Sequence, residues 1–176
     1  MKNNKLHTLI LTALFAALTC VATLVIHIPT IAGYTNLGDG MVLLGAFLLG
    51  PLYGGLAGGL GSALADLISG YTWYVPGSFL IKGLVGVFAG LLVRGSLQKH
   101  GKATLPALIL AAVPPELFMA AGYFGYKALI LGKPAGALES VPGNLMQALA
   151  GCIISILLYR LLIRVPEVRE RSWKGR

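Results

Sequence analysis

Five apolar stretches, roughly 6–26, 41–68, 77–93, 104–131 and 141–163, dominate this chain, and each is nearly free of charge. A helix needs about 20 such residues, at ~1.5 Å each, to cross the ~30 Å of hydrocarbon in a bilayer. In that solvent the backbone must satisfy its own hydrogen bonds, so the runs read as helices. Composition agrees: 56% of residues are hydrophobic and 11% charged, where a soluble globule carries about a quarter of its residues as charges. The fold class is therefore an all-α membrane protein, and 176 residues suffice for one domain, 1–176. The first run follows Lys2 and Lys5 as a signal peptide's would, yet it is of spanning length and no A-x-A site closes it, so it reads as a first helix.

The basic residues decide how many times the chain crosses. They gather as Lys2 and Lys5, as Arg94, Lys99 and Lys102, and as Arg160, Arg164, Arg169, Arg171, Lys174 and Arg176. No stripe interleaves them with aromatics, which excludes nucleic acid as the partner they serve. The positive-inside rule places all three clusters in the cytoplasm, with Lys127 and Lys133 as a weaker counter-signal. An even number of crossings must then precede the middle cluster, so the second stretch has to break, and "LLGPLYGG" offers Gly50 and Pro51. Six transmembrane helices result, near 6–26, 39–49, 53–69, 77–93, 104–127 and 141–163, with both termini cytoplasmic. The second reaches only ~16 Å and must be tilted, extended by its flanks or shielded by neighbours. Gly54, Gly58 and Ser62, then Gly55, Gly59 and Ala63, then Gly86 and Gly90, form small-xxx-small faces for close helix packing, as do Ala13 and Ala17.

Polar residues inside such runs need a reason, because each is unfavourable in hydrocarbon by a few kcal/mol. Asp39, Asp66, Lys82, Asn144 and Gln147 all fall in the outer part of their helices, and Glu116 at or just beyond the midplane, after two helix-disturbing prolines. Each has a structural alternative. Asp66 and Lys82 can neutralise each other, Asn144 can help cap a helix with Ser140 as N-cap and Pro142 in its first turn, and Asp39 can complement a helix N-terminus. Asn36, in the preceding loop, suits contact with a ligand. Tyr34, Tyr71, Trp73, Tyr74, Tyr123 and Tyr126 form either an interfacial belt or a lid over a polar hollow. Cys20 and Cys152 read as small core residues, His7, His27 and His100 have no metal spacing, and no cofactor is implied.

Reactive constellations are missing: there is no H-E-x-x-H or G-x-S-x-G, and "GSLQKHGKAT" breaks the phosphate-loop pattern in spacing and at Ala103. The chain does not read as an enzyme. Residues 36–86 carry N-L-G-D, then L-L-G-P, G-S-A-L-A-D-L-x-S-G-Y and I-K-G-L in order. In this they resemble the S components of energy-coupling factor (ECF) vitamin transporters. That resemblance implies a small subunit of the bacterial plasma membrane that binds a vitamin or precursor in an outward-facing pocket. Its implied partners are a transmembrane coupling subunit, met by an A-x-x-x-A face here formed by Ala13 and Ala17, and two ATP-binding subunits. The implied pocket includes the first outer loop, the loop between the third and fourth helices and the outer halves of the last three helices. Asn36, Lys82, Glu116, Tyr123, Asn144, Gln147, Tyr34, Trp73 and Tyr74 are then the expected substrate contacts, with Asp39 and Asp66 structural or ligand-binding. A carboxylate, an ammonium and two amides under aromatic rings suit a hydroxylated heterocycle of pyridoxine or hydroxymethylpyrimidine type; riboflavin is the alternative. A stand-alone gradient-driven carrier would need a polar path through both leaflets, and "LPALILAAVPP" below Glu116 is apolar.

Overall fold

A computed structural model of the chain describes residues 2–25, 27–30, 33–100 and 103–172. Helix α1 spans Lys2–Val25, and a short antiparallel hairpin follows, β1 His27–Thr30 with β2 Gly33–Asn36, in which His27 faces Asn36. Next come α2 Gly38–Leu49, α3 Pro51–Ile68, a 3-10 turn Thr72–Tyr74, α4 Val75–His100 and α5 Leu105–Gly125. A π-helical turn, Tyr126–Ile130, extends α5; α6 Pro134–Leu162 and α7 Pro166–Arg171 complete the order. Lys102, Lys174 and Arg176 lie outside the described residues, as do the side chains of Tyr34, Lys2, Lys99 and Arg171.

The chain is nearly all helical, and its helices present apolar side chains outward. Leu6, Leu52, Leu80, Leu110 and Leu157 are exposed, and on α1 the buried stripe mixes Thr12, Thr19 and Thr23 with Phe15, Ala16 and Cys20, beside exposed Leu14 and Val21. Water would reject such a surface; hydrocarbon accepts it. Among the described residues four helices are long and apolar enough to cross a membrane: Lys5–Val25, Thr72–Gln98, Leu105–Ile130 and Pro134–Leu162. Gly38–Leu49 is apolar but shorter.

That short helix is the core. Of its 12 residues all but Met41 are buried, and α1, α3, α4 and α6 pack around it. At ~1.5 Å per residue it extends ~18 Å, and shielding by neighbours is how it is accommodated. The turn from α2 to α3 is made at Gly50, whose φ of 84° belongs to the left-handed region that glycine enters freely. Pro51 then begins α3, where its missing N–H is no loss.

Successive helices run antiparallel. Thr23 at the end of α1 lies beside Gly38 at the start of α2, Gly54 rests on Ala46, Gly90 on Pro51 and Gly122 on Ile81. The start of α1, the ends of α4 and α6 and the start of α5, and with them Lys5, Arg94 and Arg160, therefore share one end. The small-residue faces are the places of closest approach: a Cβ on Gly86 would stand 2.8 Å from the Cα of Gly55 and 2.9 Å from the carbonyl oxygen of Gly54.

Two helix limits differ most from the sequence reading. Helix α4 continues through Arg94 to His100, and α6 begins at Pro134 rather than 141. Ser140 is consequently inside α6 and not an N-cap; its hydroxyl donates to the carbonyl of Ala137 at 2.7 Å. Pro134 supplies the fixed φ that opens the helix, and Pro142 removes one interior amide without ending it.

Replacing Gly86 by Val forces α3 and α4 apart and is expected to destabilise the fold by about 1–3 kcal/mol, read as a lower melting temperature in detergent. Gly95→Ala is the control, since its added Cβ meets nothing within 4 Å; equal effects of the two would remove the close-packing argument.

Candidate functional site at the head of helix α2

The first turn of α2 carries Asp39, fully buried and held on both carboxylate oxygens. Lys82 of α4 forms an ion pair and hydrogen bond with Oδ1. The Gln147 amide of α6 donates to Oδ2 at 2.6 Å. The same glutamine accepts the backbone N–H of Asn36 through Oε1 at 3.1 Å, so one side chain joins the hairpin, α2 and α6. Close approach is possible because Gly151 faces Asp39: a Cβ there would come within 2.8 Å of the Asp39 Cβ.

Asp39 is well placed for the helix dipole, yet it is not a cap. The N-cap position is Leu37 without a side-chain bond, and Asn36 takes the local role instead, its Oδ1 accepting the Gly38 N–H at 2.9 Å. Lys82 likewise does not pair with Asp66. The reason lies in α4, where Ser78 and Lys82 stand one turn apart on the same face. Ser78 meets Asp66 near the outer end of α3, its hydroxyl donating to Oδ2, while Lys82, one turn deeper, meets the head of α2. Tyr123 of α5 ties the two levels together. Its hydroxyl lies 2.7 Å from that of Ser78, and its ring centroid is 5.3 Å from the Lys82 ammonium, within cation–π range.

Glu116 is different. It is 1% exposed, and neither carboxylate oxygen has a hydrogen-bond partner among the described residues. Asp39 and Lys82 both act on it electrostatically. Two ionised carboxylates cannot bond each other, so a hydrogen bond between Glu116 and Asp39 exists only when one of them carries a proton. A buried carboxyl with both acceptors unused is the least satisfied polar group of the cluster. Helix α5 is continuous through Pro114 and Pro115 just before it; those prolines lack the amides that the carbonyls of Leu110 and Ala111 would otherwise accept.

The fold thus brings together Asn36, Asp39, Asp66, Lys82, Glu116, Tyr123 and Gln147. Asn144 is half-buried one turn from Gln147 and makes no side-chain hydrogen bond among the described residues. Tyr74 is half-buried and packs on Tyr71 and Tyr126, whereas the Trp73 side chain is 79% exposed and only its carbonyl is engaged, by the Tyr126 hydroxyl at 2.7 Å. Ala13 and Ala17 are both exposed on α1, remote in kind from this cluster. Ser78 and Gly151 were absent from the sequence-based site. Ser78 was signalled by its position four residues before Lys82; Gly151 had no signal, because its role depends on which helix faces it.

Inward of the cluster the packing is mainly apolar, and the buried hydroxyls of Thr12 and Ser155 there are bonded to carbonyls of their own helices. Leu43, Phe47, Val85, Val93 and Leu108 are all buried. The buried acids and bases among the described residues are Asp39, Asp66, Lys82, Glu116 and Lys127. No set of three His, Cys, Asp or Glu side chains among the described residues is placed to hold a metal ion.

The family model described as "ECF-type riboflavin transporter, S component" matches residues 3–164. An uncharacterized protein in gap 3'region of Pyrococcus woesei is 40% identical over 136 residues, 76% of this chain and 86% of its own length. UPF0397 proteins of two strains of Lactococcus lactis subsp. cremoris, NZ9000 and MG1363, are each 37% identical over 106 residues. Those alignments cover 57% of this chain and 56% of the relatives.

Lys82→Met leaves Asp39 buried and without its cation, and is expected to destabilise the fold by about 3–5 kcal/mol. Adding Asp39→Asn should restore much of that loss, because the partner that was stranded is then neutral. Thermal unfolding of the single and double variants in detergent checks this; purely additive losses would mean the pair is not coupled.

Proposed function

Because the chain belongs to the ECF-type riboflavin transporter S component family, we propose that it captures a small vitamin-class nitrogen heterocycle, of pyridoxine or hydroxymethylpyrimidine type, for import. Glu116 carries this reading. A carboxylate with two unused acceptor oxygens, both buried, suits a ligand presenting adjacent donors, such as a ring N–H or amino group beside a hydroxyl. Lys82, Tyr123, Gln147, Asn36 and Asn144 surround it as further polar and aromatic contacts, and Tyr34 and Tyr74 belong to the outer segments that cover the cluster. Trp73 serves better as an interfacial anchor, given its exposure. Asp39 and Asp66 hold the site's shape through Lys82, Gln147 and Ser78.

In this reading the protein is a binding subunit and not an enzyme, and it resides in the bacterial cell membrane with six crossings and both termini inside. It works with a transmembrane coupling subunit and two ATP-binding subunits, the coupling subunit meeting α1 at Ala13 and Ala17. The apolar packing inward of the cluster argues against a stand-alone carrier, which needs a polar route across both leaflets. Riboflavin is the second reading, favoured by the description of the matching family model.

Thermal-shift screening of B vitamins against the detergent-purified chain, with mass spectrometry of copurified small molecules, separates the two ligands. Glu116→Ala is expected to weaken binding of the selected heterocycle by at least about tenfold, the value of one charged hydrogen bond, at unchanged expression. Undiminished affinity would remove Glu116 from the site. Leu at positions 13 and 17 should abolish uptake by cells containing the partner subunits while sparing binding by the purified chain; loss of binding would instead place that face inside the working fold.

A further inference from the structure

Two acids and one base meet at the head of α2: Asp39 and Glu116 against Lys82. Lys82 is committed to Asp39, so the Glu116 carboxyl has no positive partner of its own. The groups around it are Asp39 on α2, Lys82 on α4, Cys152 on α6, which lies within its field, and Tyr123 on its own helix α5. Asp66 on α3 is one turn further out, with Ser78. Apart from Lys82, none of these adds a positive charge. The remaining buried base, Lys127, sits in the π-helical turn, where Glu139 and Lys133 are its charged neighbours.

A lone negative charge in a low-dielectric interior is strongly unfavourable. The cluster is neutral only with one further positive charge, and a proton held on the buried, otherwise unpartnered Glu116 carboxyl supplies it in the free protein. We propose that in the complex the cargo supplies it: the site takes a nitrogen heterocycle as its cation, in exchange for that proton. This rests on the reading of Glu116 as a cargo contact. The balance is simple. A permanently charged heterocycle displaces the proton to solvent; a neutral basic one accepts it on its ring nitrogen, with no net release. A neutral, non-basic ring leaves the proton where it is and gains nothing from the acid's charge.

The test uses the full chain in detergent with three probes: pyridoxine, an N-methylated pyridinium cation that keeps the hydroxymethyl groups but lacks the acidic ring hydroxyl, and riboflavin. Calorimetry in two buffers of different ionisation enthalpy should find about one proton released per N-methylated cation bound, with none for the other two. The cation should bind at least about tenfold more tightly than riboflavin. Glu116→Gln, which keeps shape but not charge, should lose both the proton release and the preference, with its melting temperature checking the fold. Infrared difference spectra read the proton directly: a protonated-carboxyl carbonyl band present in the free protein should vanish in Glu116→Gln and on binding the cation. Cation binding without proton release, preference for riboflavin, or a band unchanged by the substitution each overturns the proposal. If none of the three compounds binds, the functional reading fails instead, and the infrared band alone decides the proton exchange: its loss in Glu116→Gln supports it and its persistence overturns it.

Discussion

The structure turns on an ion pair sealed inside a helix bundle. Asp39 and Lys82 are each almost wholly removed from solvent, a placement that costs several kcal/mol per ion unless geometry and further hydrogen bonds offset it. The offset comes from Gln147, which bonds Asp39 and the Asn36 backbone together, and from the Tyr123 ring beside the Lys82 ammonium. These contacts tie α2, α4, α5, α6 and the hairpin to one point. A helix too short to cross a bilayer is thereby given a fixed position among longer ones.

Around that point the two solvents of the protein are kept apart by packing. Leucines and valines line the outside, where lipid tails are as apolar as they are, so burial supplies little drive for helices to associate. Glycine supplies the alternative: Gly55 against Gly86 and Gly54 against Ala46 bring backbones together closely enough for dispersion to hold them. The result gathers the buried acids and bases, among the described residues, toward the end of the bundle that holds the head of α2, over a mainly apolar floor. For a subunit of a transporter family, a polar level with an apolar floor suits capture of a solute more than its free passage.

Within the polar level, satisfaction is uneven. Asp39, Gln147 and Asn36 are linked by one another's bonds and Ser78 holds Asp66, and among the described residues only Glu116 is left with both carboxylate oxygens unused. An interior that settles its other charges so thoroughly gives its exception chemical meaning. That contrast, more than the number of polar residues, distinguishes a binding position from a structural network.

Much of this was legible in the chain. Length, apolarity and the Gly50–Pro51 break mark helices and a turn because backbone hydrogen bonding and glycine's φ are local matters. The depth of Asp39, Lys82, Glu116 and Gln147 follows from counting residues along helices whose rise is constant. What the chain could not specify is which residues meet. Asp66 was the partner the sequence offered Lys82, and the offset of α3, α2 and α4 gave it Asp39 instead; Gly151 mattered only once α6 lay against α2. The sequence by itself determined membrane character, helix positions and the level of the polar groups, since these depend on composition and spacing along one chain. Only the tertiary structure decided their pairing and left Glu116 alone, because hydrogen bonds act over a few ångströms between helices whose relative rotation no single helix contains.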